Sequence, residues 1–210
     1  MASATRARVP YAVAARELLR NSLLDAACEQ LDGRAWAEVT MAGIASAAGV
    51  SRQTLYNEFG SRDEFAQVLV MREADRLLGA VEGAINANLD APAVALAAAF
   101  DVFLEAAAEN ALVRRLIDGS GAGAGELLAL FTTQGKPVVE SATERLTEVI
   151  LAGWPLIARA DAELLNECIV RLAISYAALP KGPASMSAAS VATLLGPYVE
   201  QLVNNININS

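Results

Sequence analysis

Residues 40–65 constrain the fold more than any other part of this chain. Three hydroxyl residues, Thr40, Ser51 and Ser61, each precede a short run with helical apolar spacing, and Gly49 and Gly60 close the first two runs. A threonine or serine oxygen at a helix start accepts an orphan N–H two or three residues on. A glycine just past a helix end takes the left-handed backbone at little cost. The stretch therefore reads as two short helices around a turn at Gly49, followed by a third helix beginning near Ser61. Ile44, Ala45 and Ala48 form the inward face of the first helix, and Leu55 and Phe59 that of the second. Glu64, three residues after Ser61, completes a capping box. This is the pattern of a helix-turn-helix, whose second helix lies in the major groove of DNA.

The outward positions of that second helix carry chemistry suited to the task. Arg52, Gln53, Thr54, Tyr56 and Asn57 follow directly on the Ser51 cap. Arginine can bond guanine through two N–H groups, and glutamine or asparagine can bond adenine. Threonine and tyrosine hydroxyls can bond phosphates. The expected assignment is Arg52, Gln53, Thr54 and Asn57 at the bases, with Thr40, Tyr56 and Arg62 at the backbone phosphates.

The stretch resembles the DNA-binding domain of the TetR family of transcriptional regulators. The resemblance rests on Thr40, Ile44-Ala45, Ala48-Gly49-Val50-Ser51, Thr54-Leu55-Tyr56, Phe59, Ser61-Arg62 and Phe65. Three positions depart from the family pattern. Gln53 stands where glycine is frequent, Glu58 where histidine or an aromatic is, and Arg62 where lysine is. The resemblance implies an all-α chain with an N-terminal three-helix helix-turn-helix domain and a C-terminal helical domain for ligand binding and dimerisation. It further implies a homodimer, most simply a repressor, released from a DNA operator by a small molecule, and the cysteine usage fits a cytoplasmic setting. In the family the last two long helices form the dimer interface, which here means 161–178 and 187–204. The periodicity agrees, because Ala188, Val191, Ala192, Leu194, Leu195, Tyr198, Val199 and Leu202 cover more of the last helix than one core requires. Two recognition helices about 34–36 Å apart read successive major grooves, so a palindromic operator is expected.

The net charge of −8 argues against nucleic acid until its distribution is considered. Residues 1–72 carry 8 Arg against 8 Asp and Glu, whereas 73–210 carry 8 Lys and Arg against 16 Asp and Glu. The acidic half can face away from DNA, since charges are screened beyond roughly 8–10 Å in physiological salt. Arg6 and Arg8 lie in a basic arm, read either as a groove contact or as a solubilising tail.

The remaining organisation follows from breaks in helical periodicity. The expected division is a flexible arm at 1–12, a helix-turn-helix domain at 13–60, a connecting helix at 61–87, a ligand-binding and dimerisation domain at 88–204, and a tail at 205–210. Helices are expected at 14–32 (apolar face Leu18, Leu19, Leu23, Ala26, Ala27 and Leu31), 92–108, 110–117, 125–134, 137–152, 161–178 and 187–204, with a corner at Trp154-Pro155. Gly119–Gly125 is read as a connector, since no Gly-Lys-Ser/Thr follows it. Gly182–Val199 lacks charge, but Pro183, Gly196 and Pro197 interrupt it, so an interface helix is expected rather than a membrane span. The charge-studded start gives no sign of a signal peptide.

The chain has no histidine, which removes Ser-His-Asp triads, Cys-His dyads and His-ligated metals. No enzyme activity, metal or cofactor is expected. Cys28 and Cys168 read as small apolar residues in a reducing compartment. Apolar residues are 54% of the sequence, so the C-terminal domain has few polar groups to offer a ligand, and a hydrophobic effector is expected. Candidate pocket residues are Phe100, Phe103, Leu104, Phe131, Trp154, Cys168, Arg171 and Tyr176. Arg171 can alternatively pair with Glu167 one turn earlier. The competing reading is an α-helical protein that binds lipophilic molecules and whose helix-turn-helix is degenerate. Glu58 is the residue that favours it, because a carboxylate near phosphate is unfavourable unless it turns away.

Overall fold

The computed structural model describes residues 10–113, 129, 134–178 and 188–204. Among these there are eight α-helices and no strand. They are α1 (Tyr11–Gly33), α2 (Met41–Ala47), α3 (Arg52–Phe59), α4 (Arg62–Asn86), α5 (Pro92–Glu109), α6 (Lys136–Gly153), α7 (Arg159–Ala178) and α8 (Ala188–Asn204). A short 3-10 turn at Trp36–Glu38, which periodicity does not reveal, joins α1 to α2. Most of the expected helices at 110–117 and 125–134, the Gly119–Gly125 connector, the arm with Arg6 and Arg8, and the tail lie outside the described residues.

Each short helix starts at the expected cap. Thr40 Oγ1 accepts from Gly43 N at 3.0 Å, and Ser51 Oγ from Thr54 N at 3.0 Å. Ser61 Oγ accepts from Glu64 N at 3.2 Å, while Glu64 accepts in return from Ser61 N at 2.7 Å. Both turn glycines are left-handed, Gly49 at φ 70° and Gly60 at φ 75°. Pro92 begins α5, where its missing N–H is no loss.

One apolar cluster holds α1–α4 together and includes Leu23, Leu31, Ile44, Leu55, Phe65 and Leu69, all fully buried. Phe59 and Phe65 meet edge to face at 4.8 Å. Leu18 departs from expectation: it is 71% exposed. Arg16 and Arg20 occupy the α1 face toward α3, and Leu18 lies about half a turn round from Arg16.

Helix α4 continues into the second half of the molecule. There it packs on α5 and α6, α5 packs on α8, and α6 packs on α7. Two further apolar clusters form, one joining α4 to α6 through Val81, Ile85 and Leu146, the other joining α5 to α8 through Phe100, Val191 and Val199. Arg145 of α6 clamps Glu82 and Asp75 of α4 along the outer edge. Asn166 donates to Thr147 at 3.1 Å, a buried polar link that fixes α7 against α6. No helix among the described residues is long and apolar enough to cross a membrane.

Candidate nucleic-acid interface and ligand cavity

The surface of α3 is built by its own spacing. Leu55 and Phe59 anchor it from below, so the positions between them turn outward. Arg52, Gln53 and Asn57 are exposed, and Thr54 and Tyr56 are half-buried. These side chains pair one turn apart. Gln53 Nε2 donates to Asn57 Oδ1 at 2.8 Å, and Arg52 donates to the Tyr56 hydroxyl at 3.3 Å with its guanidinium over the ring. Thr54 Oγ1 lies 2.8 Å from Ser51 Oγ. Such pairs are weak on a wet surface and can be exchanged for other partners at little cost.

Two charged residues behave differently from the others. Glu58 turns away from this surface and accepts from Arg16 Nε of α1 at 2.7 Å. Arg20 donates to the Glu58 carbonyl at 2.7 Å and stacks on Phe59 at 4.3 Å. The carboxylate thus brackets α3 onto α1. Arg62 is turned inward. Its guanidinium lies over the Trp36 ring at 4.3 Å, donates to Trp36 O at 2.6 Å and also donates to Val39 O. It therefore ties the loop before Thr40 to the start of α4, and the outward reach expected of it is not what its donors are doing.

The second feature is a cavity of about 120 Å³ between α4, α5, α6 and α7. One water needs roughly 10–15 Å³. Leu78, Phe100, Phe103, Val138, Leu146 and Ile169 are among its walls, which are almost entirely apolar. Of the expected pocket residues, Phe100 and Phe103 line it. Leu104 does not, and packs instead with the α5–α8 cluster. Trp154 caps the corner after α6, donating to Leu89 O at 3.1 Å. Cys168 and Arg171 are exposed, and Arg171 bonds Glu167 at 2.7 Å. Helical phase is the reason: α7 turns Ile169, Val170, Ala173 and Ile174 toward the cavity, so 168 and 171 point out. Phe131 and the Tyr176 side chain lie outside the described residues.

The wall residue that the sequence reading missed is Glu73. It is 4% exposed and is the single polar residue in the described lining. Its Oε1 accepts from Arg72 Nη2 at 3.0 Å, from Arg76 Nη1 at 3.3 Å and from Cys28 Sγ at 3.5 Å. Its Oε2 accepts from Asn110 Nδ2 at 2.8 Å. Arg72 and Arg76 also reach Asp25 of α1, at 2.8 and 3.1 Å. Burial, with the Glu73 carboxylate beside it, pushes the Cys28 thiol up to about 11, so this cysteine stays protonated and unreactive at neutral pH. The overlooked signal was phase: Glu73 continues the buried stripe of Ala66, Leu69 and Val70 on α4.

Known proteins resemble this chain over both halves. Residues 23–69 match the family model described as bacterial regulatory proteins, tetR family, and residues 90–197 match that of the bacterial tetracyclin repressor C-terminal domain. The HTH-type transcriptional regulator AlkX of Mycobacterium tuberculosis is 39% identical over 92% of this chain and 91% of that protein. The TetR family repressor AlkX of Dietzia sp. strain DQ12-45-1b, described as implicated in biodegradation of n-alkanes, superposes with a TM-score of 0.76 at 32% identity, covering 88% of this chain and 96% of that one. A tetR-family regulator from Streptomyces coelicolor shares the fold at a TM-score of 0.57 and 21% identity, over 91% and 89% of the two chains. A capped recognition helix below and an apolar chamber above, with matched relatives along nearly the whole length, make this chain a member of the TetR family of DNA-binding transcriptional regulators.

Proposed function

We propose that the chain is a homodimeric repressor that reads a palindromic operator through α3 and leaves it when a hydrophobic effector fills the cavity. The observation that carries this reading is the exposed set Arg52, Gln53 and Asn57 on a helix whose start is fixed by the Ser51 cap. Arg52, Gln53, Thr54 and Asn57 contact bases. Thr40 and Tyr56 contact phosphates, and Arg62 serves them from behind by bracing the Trp36–Val39 segment. The turned-away Glu58 removes the objection that it raised against DNA binding.

The functional division is a DNA-reading unit at 13–60, a connecting helix at 61–87 and an effector and dimer unit at 88–204. Dimerisation uses α7 and α8. Leu164 is 59% exposed and Leu194 is 69% exposed, with Tyr198 one turn on from Leu194. An apolar stripe of that kind is what a second copy covers. The apolar walls support a lipophilic effector, as does the resemblance to a repressor implicated in n-alkane biodegradation. The protein then acts in the cytoplasm, where its operator lies.

The test is a footprint of the full chain on DNA flanking its own coding region, repeated over a salt series. A two-fold protected site that weakens steeply with salt supports the reading, because phosphate contacts release counterions. Uniform weak binding to any duplex favours a lipophilic-ligand carrier with a degenerate helix-turn-helix.

A further inference from the structure

The described lining of the cavity has one polar point, and its chemistry selects the ligand. Glu73 Oε1 is crowded by the Arg72 and Arg76 guanidiniums and the Cys28 thiol. Oε2 has one donor among the described residues, the Asn110 amide. A carboxylate oxygen has two lone-pair sites, so Oε2 can accept one bond more. Glu73 belongs to the cavity wall, and the described lining offers no side-chain donor beside it.

The charge around that acceptor is already balanced. Arg72 and Arg76 stand against Glu73 and Asp25, two cations and two anions joined by ion pairs. A ligand carboxylate would be a second anion against Glu73 in an apolar chamber, with no unshared cation among the described lining residues to meet it. A ligand ammonium would be an unbalanced cation there. Burying an unpaired charge costs far more than one hydrogen bond returns. A pure hydrocarbon would fill the space but leave the free acceptor site unmet. A hydroxyl donates one hydrogen bond and carries no net charge.

Building on the proposed effector reading, we propose that the cavity binds an aliphatic alcohol, its chain among the side chains of α4–α7 and its hydroxyl donating to the Glu73 carboxylate beside Asn110. The hydroxyl then shares Oε2 with the Asn110 amide, and Asn110 holds the backbone N–H groups of Leu112 and Val113, the latter a wall of the cavity. The head group thus meets the chain where α4, α5 and, through Arg72, α1 are joined.

The test measures binding of 1-dodecanol, dodecanoate, dodecylamine and n-dodecane to the full chain without DNA by calorimetry at neutral pH. The alcohol should bind about tenfold tighter than each of the others, the worth of one hydrogen bond to a charged acceptor. Glu73→Gln should erase most of the alcohol's advantage over dodecanoate. Should that variant fail to fold, Glu73→Asp, with its carboxylate drawn back by one methylene, should weaken the alcohol and leave n-dodecane unchanged. Equal or tighter binding of dodecanoate, dodecylamine or n-dodecane overturns the head-group assignment and leaves the hydrophobic-effector reading standing. Binding of none of the four overturns both.

Discussion

The helix-turn-helix and the cavity handle polar groups in opposite ways. Around α2 and α3 every cap is local: Thr40, Ser51 and Ser61 each serve an N–H three residues on, and the outward side chains pair one turn apart at the surface. Around the cavity one buried carboxylate draws its donors from α1, α4 and the residue that ends α5. The local scheme gives a rigid presenting surface whose polar groups stay free to change partners. The long-range scheme gives a node that cannot lose a partner quietly, because a buried acceptor left unmet costs its desolvation. A reader of DNA benefits from the first arrangement and a sensor from the second.

The largest effect expected is at the core of the reading unit. Phe65→Ala removes a fully buried ring that packs edge to face on Phe59, and should cost about 3–5 kcal/mol of stability, with loss of DNA binding near growth temperature. Phe100→Ala removes an equally large ring, but one side of it already faces the cavity and so has fewer contacts to forfeit. Its cost should be smaller, with operator affinity kept and ligand selectivity altered. Denaturant unfolding of the two variants gives the comparison, and equal costs would show that the two cores are packed alike.

Next comes the node itself. Asn110→Ala leaves Glu73 Oε2 and the Leu112 and Val113 N–H groups without their described partner, and should cost about 1–3 kcal/mol. Ser51→Ala, the local counterpart, should cost about 1 kcal/mol. Chemical denaturation measures both. If Asn110→Ala cost no more than Ser51→Ala, the contrast between local and long-range satisfaction would have no energetic content.

The same contrast decides what can be read in the sequence. The caps, both left-handed glycines, the buried Leu55 and Phe59, and α4 to α8 within a residue or two all follow from signals a few residues apart. Glu73 does not, since Asn110 lies 37 residues away and Asp25, which shares its arginines, lies 47 from Arg72. Glu58 and Arg62 are similar cases. Their partners Arg16 and Trp36 come from other elements, so a charge read as facing DNA is instead a bracket between helices. Leu18 lies off the inner face of α1 because that face is set partly by Arg16 and Arg20, which an apolar pattern counts as solvent. Cys168 and Arg171 fall off the cavity side of α7, and composition suggests an apolar domain without giving its helical phase.

A smaller effect separates reading from holding. Arg52→Ala should weaken operator binding by about 1–3 kcal/mol and relax preference at one base pair, because a bidentate contact to a base is lost. Its effect on stability should stay within about 0.5 kcal/mol, since the side chain is exposed and bonds only Tyr56 among the described residues. Titrations on the operator and on single-base variants decide the point. A uniform loss across all sequences, with a shallower salt dependence, would make Arg52 a phosphate contact instead.

The smallest effect is a dependence on pH at the start of α4. The Ser61 backbone N–H, and then its hydroxyl, hold the Glu64 carboxyl below the usual carboxylate range. A group whose value is depressed on folding stabilises the folded state above its unfolded value, and that contribution is lost as pH falls through the folded one. The loss therefore lies on the acid side of the ordinary glutamate range. Glu64→Gln keeps an oxygen that can accept from Ser61 N but cannot titrate. It should flatten the acid limb of the stability profile slightly while leaving the cavity's ligand affinity untouched, because the capping box and the Glu73 node lie at different places along the same helix. Urea midpoints taken from neutral pH downward, for the wild-type chain and for Glu64→Gln, test this. Superimposable profiles would mean that the capping box fixes where α4 begins without adding a pH-dependent share to its stability.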